Sequence, residues 1–220
     1  MNLIWILKYF TRHYDFDFFL RVDDDYFVCL HHLLTELPQR LPATLYWGWV
    51  HCIPNIVRVD EGFMILTYDI IKESLERFNT TLMCSGTGDQ AVAMWMGTSK
   101  LNVTYFVDNE RLVHTLPGHL VNNFLVSGIC DRYIGLHQAY PKYMYQYWDV
   151  LQKDNKERKK LGTFNSTSYV VPTIRDFYKI CTTSKNFDWR YFGNAWRFEP
   201  KPCRDEPRWR TEGEFVGREG

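Results

Sequence analysis

A chain of 220 residues with 45% hydrophobic and 24% charged residues is long enough to bury one full-sized core, which excludes disorder throughout. Lysine plus arginine (26) balance aspartate plus glutamate (26), so no long-range basic field exists to collect nucleic acid or anionic lipid, and no nucleic-acid partner is expected. Aromatic residues, at 17%, give weak support to stacking on flat ligands.

The apolar start, Met1 to Leu7, is interrupted by Lys8, Arg12 and His13 before a membrane-length run develops. Leu3, Ile6, Leu7 and Phe10 fall at helical spacing and predict a core helix. A turn at His13 to Asp15 leads into Phe16–Val22, read as a buried strand that ends in Asp23, Asp24 and Asp25. A helix is expected from near Phe27 to Pro38, then a strand over Thr44–Val50. Another strand, Glu61–Leu66, runs straight into a helix from Thr67 or Tyr68 to Phe78. Cys84–Gly88 is a loop of small residues, and Asp89–Met96 carries good helix formers up to Gly97. Asn102–Val107 and the shorter Arg132–His137 read as strands, followed by a helix opened by Pro141. In that helix Tyr140, Met144, Trp148 and Leu151 form an apolar stripe expected to be core. The alternation of helices and strands favours α/β.

Beyond Leu151 the composition changes. Lys153–Lys160 is a charge run, Tyr169–Trp196 keeps enough apolar residues for a small packed appendage, and Lys201–Gly220 reads as a loose polar tail. The expected organisation is therefore a main domain over 1–152, an appendage over 153–200 and a tail over 201–220, with no internal repeat.

Six cysteines, at 29, 52, 84, 130, 181 and 203, are widely spread without a C-x-x-C pair, which argues against a zinc ribbon and leaves disulfides or buried thiols. Sequons at Asn79, Asn102 and Asn165 agree with an oxidising lumen, and many cysteine pairings remain open.

The sharpest chemical feature is Asp23-Asp24-Asp25 at the carboxyl end of a hydrophobic strand, where ligands of open α/β sheets collect. Mutually repelling carboxylates need cations, and oxygen ligands suit magnesium or manganese with a bound diphosphate. The plain alternative is an acidic turn capping the next helix. A calcium loop is excluded, because the aspartates are consecutive and Val28 stands where that loop needs glycine. Asp89, at a helix start, has the position of a cap, and Trp47 and Trp49 fit either the core or a sugar-stacking face.

These segments occur in a recognisable order: Val22-Asp23-Asp24-Asp25-Tyr26-Phe27-Val28, Leu45-Tyr46-Trp47-Gly48, Glu61-Gly62-Phe63-Met64-Ile65-Leu66-Thr67, Gly88-Asp89-Gln90-Ala91-Val92-Ala93-Met94, and Ile134-Gly135-Leu136-His137 with Pro141, Met144 and Trp148. In that order and spacing the chain, over roughly 7–151, resembles the β-1,3-galactosyltransferase and fringe family of inverting, nucleotide-sugar-dependent enzymes (glycosyltransferase family 31). The resemblance implies a GT-A-like α/β fold, incomplete at the N-terminus, where similar enzymes carry a membrane anchor and the first strands of the donor site. It implies that Asp23 faces the ribose of a UDP-sugar and that Asp24 with Asp25 holds Mn2+, Asp25 most directly, with His137 as a further metal ligand. Asp89 corresponds to the catalytic base. The reaction implied is transfer of galactose or an N-acetylhexosamine in β-1,3 linkage to a glycan acceptor on a glycoprotein or glycolipid, in the Golgi lumen.

Two departures stand out. Gly88 replaces the acidic residue that usually precedes the aspartate, and Glu61-Gly62-Phe63 replaces Gly-Gly-Tyr on the acceptor-side strand. Two other readings use the same residues. One is a non-catalytic relative that binds glycans or a partner in the secretory pathway. The other is a metal-dependent phosphohydrolase, for which the sequence shows no clear second metal cluster.

Overall fold

The computed structural model describes residues 3–53, 56–78, 80–84, 88–114, 125–160, 172–173 and 201–203. Helix α1 (Leu3–His13) precedes strand β1 (Phe18–Val22), the short β2 (Phe27–Val28), helix α2 (Leu30–Glu36) and a single 3-10 turn at Leu37–Gln39. Strands β3 (Leu45–Ile53) and β4 (Ile56–Thr67) follow, then α3 (Tyr68–Glu76), β5 (Met83–Cys84), α4 (Gly88–Gly97), β6 (Thr104–Val107) and β7 (Leu112–Val113). The chain continues through α5 (Ile129–Arg132), β8 (Gly135–Leu136), α6 (Pro141–Lys160) and β9 (Lys201–Pro202).

The result is a mixed α/β protein built on a four-stranded sheet in the order β1-β4-β3-β6. Strand β4 is antiparallel to both β1 and β3, and β6 joins β3 in parallel. Both faces of this sheet are covered, which explains why its strands read as nearly continuous apolar runs. Tyr46, Met64 and Leu66 face one core with Leu3, Ile4 and Leu7 of α1, Ile70 and Ile71 of α3, and Val92 and Trp95 of α4. Leu45, Trp47, Phe63 and Ile65 face the opposite core with Tyr26, Leu33 and Leu112. The period-two alternation along β3 and β4 sorts neighbouring residues between these two layers. A second small sheet, β2-β8-β7, caps the latter core and packs on α5 and α6.

Several expectations are corrected. Phe27 and Val28 do not open a helix; they pair with β8, and the helix starts at Leu30. Phe27 is buried against Tyr147, and its backbone pairs with Leu136 of β8, which fixes this segment as extended. Arg132 belongs to the helical turn α5, so the late strand is only Gly135–Leu136. In α1 the buried side is Leu3, Ile4 and Leu7, whereas Phe10 is exposed. In α6 the buried apolar residue is Tyr147, flanked by Tyr143, Met144, Val150 and Leu151, while Trp148, and Tyr140 just before the helix, are more than half exposed. Trp47 is fully buried, stacks on Phe106 and donates its indole N–H to Asp108, so it is core and not a sugar platform.

Helix α6 runs unbroken through residue 152 to Lys160, and its buried Asp154 accepts hydrogen bonds from Ser127 Oγ (2.6 Å) and the Gly128 N–H (2.8 Å). The charge run therefore extends a docked helix. Most of the expected appendage, and the tail beyond Cys203, lie outside the described residues, but Lys201 and Pro202 are not loose: they pair with β5, and Cys203 is bonded to Cys84. The second described disulfide joins Cys29 to Cys130. The bridges close sequence separations of 101 and 119 residues, which in the chain-entropy picture stabilise by about 4–5 kcal/mol each. Asn102 is exposed; Asn79 and Asn165 lie outside the described residues. Among the described residues no helix is long and apolar enough to cross a membrane.

One buried charge cluster ties α2 to the sheet. Glu36, with no exposed surface, accepts from Arg40 and from Arg111 (Nη1 to Oε2, 2.6 Å), and Arg111 also forks onto Asp108 through Nε (2.9 Å) and Nη2 (2.5 Å). Removing one partner of such a cluster strands the others without water. Glu36→Gln is expected to lower unfolding free energy by about 3–5 kcal/mol in urea denaturation; a loss under about 1 kcal/mol would show that the cluster is not structurally required.

Candidate metal and catalytic site

The site grows from an irregularity in β4. On β3, Trp49 alone stands between the pairs Gly48↔Met64 and Val50↔Val59, whereas β4 places Asp60, Glu61, Gly62 and Phe63 in the same interval. The extra residues bulge out of the ladder and re-aim their side chains. Asp60 folds back to accept from the Gly62 N–H (2.8 Å), and a Cβ on residue 62 would lie 2.8 Å from that same carboxylate oxygen, so a side chain there would have to displace the Asp60 carboxylate.

On the other side of β4, the register Val22↔Phe63 continues as a hydrogen bond from Asp23 N–H to Gly62 C=O (3.0 Å). This sets the aspartate turn against the bulge. The turn closes with the Tyr26 N–H on Asp23 C=O (3.2 Å), and Asp25 C=O accepts from the Ala139 N–H (2.7 Å), which brings in the segment after β8. As expected, the triplet lies at the carboxyl end of β1.

Ligand atoms of Asp23, Asp25 and His137 lie within 4.8 Å of one another, with His137 Nε2 3.4 Å from Asp25 Oδ1. Asp24 is exposed and stands outside this group, so the metal-capable pair is Asp23 with Asp25 rather than Asp24 with Asp25. His137 Nδ1 donates to the His114 carbonyl (2.7 Å). A carbonyl only accepts, so Nδ1 carries a proton, which leaves Nε2 as the ring nitrogen on the Asp25 side, the one available to a metal. Gln138, the next residue, has φ of 59°, a left-handed conformation that costs a non-glycine residue roughly 1–2 kcal/mol. The surrounding hydrogen bonds hold this turn and with it His137.

Asp89 lies in the first turn of α4 and is only 6% exposed. Its Oδ1 accepts from the Gln90 N–H (2.7 Å) and its Oδ2 is in close contact with Arg58 Nε. Sequence reasoning did not assign a role to Glu61. Its Oε2 accepts from the Gly88 N–H (3.0 Å) and lies 3.5 Å from Arg21 Nη2, and Arg21 also reaches Asp23 (3.1 Å). A Cβ on residue 88 would come within 2.6 Å of Glu61 Oε2. Gly88 and Glu61 therefore fit each other: the acidic neighbour of Asp89 comes from β4 and not from the preceding residue. The polar chain Asp23, Arg21, Glu61, Gly88–Asp89, Arg58 joins the metal-capable group to the start of α4. Burial pushes the Glu61 carboxyl up, and Asp89 and Asp23 add to the rise against Arg21 and the Gly88 N–H.

A second His/carboxylate group, His51, Asp60 and His114, also has its ligand atoms within 4.8 Å. The sequence reading found no second cluster, because its members come from β3, β4 and the residue after β7. Burial opposes ionisation of Asp60, but hydrogen bonds from His51 and Gly62 and the neighbouring His114 hold its carboxyl below the usual range. Burial lowers His114, with His51 and His137 acting in the same direction against Asp60. Trp49, His114, His137 and Tyr26 form one stacked column, with successive ring centroids 4.3, 5.1 and 5.3 Å apart.

Comparison of the chain with protein-family models, curated proteins and solved structures gives no match.

The Glu61 shift has a pH consequence. With its folded value above the ordinary 4.5, the native state holds a proton that the unfolded chain releases, so stability falls as pH rises from 4.5 through the folded value. Glu61→Gln removes this slope. Urea unfolding from pH 4.5 to 7.5 should show the variant gaining on the wild type as pH rises; parallel curves would contradict the burial of this carboxyl.

Proposed function

We propose that the chain is an inverting glycosyltransferase of GT-A-like fold that moves galactose or an N-acetylhexosamine from a UDP-sugar to a glycan acceptor in β-1,3 linkage. The observation that carries the reading is the Asp23–Asp25–His137 group at the carboxyl end of β1, joined through Arg21 and Glu61 to Asp89. Two carboxylates and one imidazole with a fixed tautomer fit a Mn2+-class ion. Such an ion, when bound, offsets the charge that builds on the leaving diphosphate.

The residues of the chain supply the rest. Asp89 takes the proton of the acceptor hydroxyl as the acceptor oxygen bonds to the anomeric carbon and the bond to the diphosphate breaks on the opposite side. Gln90 N–H and Arg58 orient its carboxylate. Glu61 stands beside Asp89 as the second member of an acidic pair, and Arg21 keeps Asp23 and Glu61 apart in charge. The two described disulfides fit an oxidising compartment of the secretory pathway, in line with a Golgi-lumenal enzyme.

The burial of Asp89 in contact with Arg58 favours a second reading, a glycan- or partner-binding relative without turnover. Calorimetry with manganese and uridine diphosphate, followed by a transfer assay, separates them. The enzyme reading expects micromolar, manganese-dependent binding that Asp25→Ala abolishes, and transfer that Asp89→Asn lowers about 10²–10⁴-fold with donor binding intact. Binding that persists in Asp25→Ala sinks the metal role. Donor binding without product supports the non-catalytic relative, and product formation rules that relative out.

A further inference from the structure

We infer that His51, Asp60 and His114 form a second divalent-cation site, of zinc class, separate from the aspartate group and coupled to it through His137. The site does not depend on the sugar-transfer reading, since neither Asp25 nor Asp89 contributes to it.

The donor set comes first. Two imidazoles and one carboxylate are the ligands of three-residue zinc sites, which leave a fourth position for water or another donor. Asp23 and Asp25, with a single histidine, are oxygen-rich and suit harder ions, so the two groups differ in the metal they favour.

The spacing agrees. Donors about 2.0–2.1 Å from a tetrahedral ion stand roughly 3.3–3.5 Å apart. His114 Nδ1 is 3.6 Å from Asp60 Oδ1, too far for a hydrogen bond and near the separation of two ligands on one ion. That Nδ1 is buried from solvent and has no hydrogen-bond partner. With the ring proton on Nε2, this Nδ1 turns a lone pair toward the carboxylate, an arrangement that is unfavourable for the two alone and that a cation between them satisfies. On the other side, His51 Nε2 and Asp60 Oδ2 are 2.8 Å apart, a hydrogen bond that must widen by a few tenths of an ångström. For that ligand to form, the Nε2 proton moves to Nδ1 or to solvent and frees the lone pair.

The surroundings position the ligands. Asp60 Oδ1 is held by the Gly62 N–H within the bulge, His51 packs edge-on to Trp49 at 4.6 Å, and His114 is stacked between Trp49 and His137. The carbonyl of His114 is the acceptor that fixes the His137 tautomer, at 2.7 Å. An ion that pins His114 therefore also steadies the ligand of the aspartate group.

The test uses the purified full chain, free of any histidine tag. Zinc is titrated against a chromogenic chelator, and cobalt is added as a spectroscopic substitute whose visible bands report a low-coordinate nitrogen–oxygen site. The expected result is one tight zinc and a matching cobalt spectrum in the wild type, both retained in Asp25→Asn. His114→Gln and, independently, His51→Gln should each weaken zinc by about a hundredfold or more, while near-ultraviolet circular dichroism shows the fold intact. Loss of the cobalt spectrum in Asp25→Asn would assign the ion to the aspartate group and overturn the proposal. So would undiminished binding in a folded His51→Gln or His114→Gln variant, or a wild type that takes up no zinc at micromolar concentration.

Discussion

The structure depends on the bulge in β4. This strand is the only one in the main sheet with two antiparallel neighbours among the described strands, so its register against β1 and β3 fixes what can meet at that edge. Opposite the single residue Trp49 it carries Asp60 through Phe63, and this excess brings Asp60 and Glu61 to the edge where the aspartate turn meets the sheet. The hydrogen bond from Asp23 to Gly62 then sets the aspartate turn beside them. Burial of Asp60 is met by the Gly62 N–H and by His51, as an unpaired buried carboxylate would be costly.

Electrostatics explains the choice of neighbours. Asp23, Asp25, Asp60, Glu61 and Asp89 gather around the bulge, and in the protein alone Arg21, Arg58 and three histidines answer them. Arg21 spans Asp23 and Glu61 and Arg58 holds Asp89, whereas Asp25 faces His137 and Asp60 faces His51 and His114. Imidazoles are weaker counter-charges than guanidinium groups, and they are also metal ligands. Each metal-capable group thus holds a carboxylate that faces imidazole, Asp25 in one and Asp60 in the other.

The ring column joins these groups mechanically. Stacking of Trp49, His114, His137 and Tyr26 restrains the imidazole planes, and the His137–His114 hydrogen bond restrains rotation within them. Tyr26 is buried, and burial, with Asp60, Asp108 and Asp25 nearby, raises its phenol so that it stays neutral beside the acidic groups. Gly135, where a Cβ would meet the Tyr26 ring at 2.5 Å, lets β8 pass close enough to deliver His137.

Much of this was legible in the chain. The aspartates read as the end of a strand because the hydrophobic run Phe16–Val22 stops there, and Asp89 read as a helix start because good helix formers follow it. Local pattern determines such features, since strand and helix periods and terminal residues act over a few neighbours. What the tertiary structure alone decided was partnership: Glu61 with Gly88, His51 and His114 with Asp60, Cys29 with Cys130, Cys84 with Cys203, and Tyr147 instead of Trp148 as the buried side of α6. Each of these joins residues far apart in the chain or depends on which helix face meets a neighbour. Residue order carries no signal for either, because the pairing follows from strand register and a bulge that forms only when the sheet is assembled.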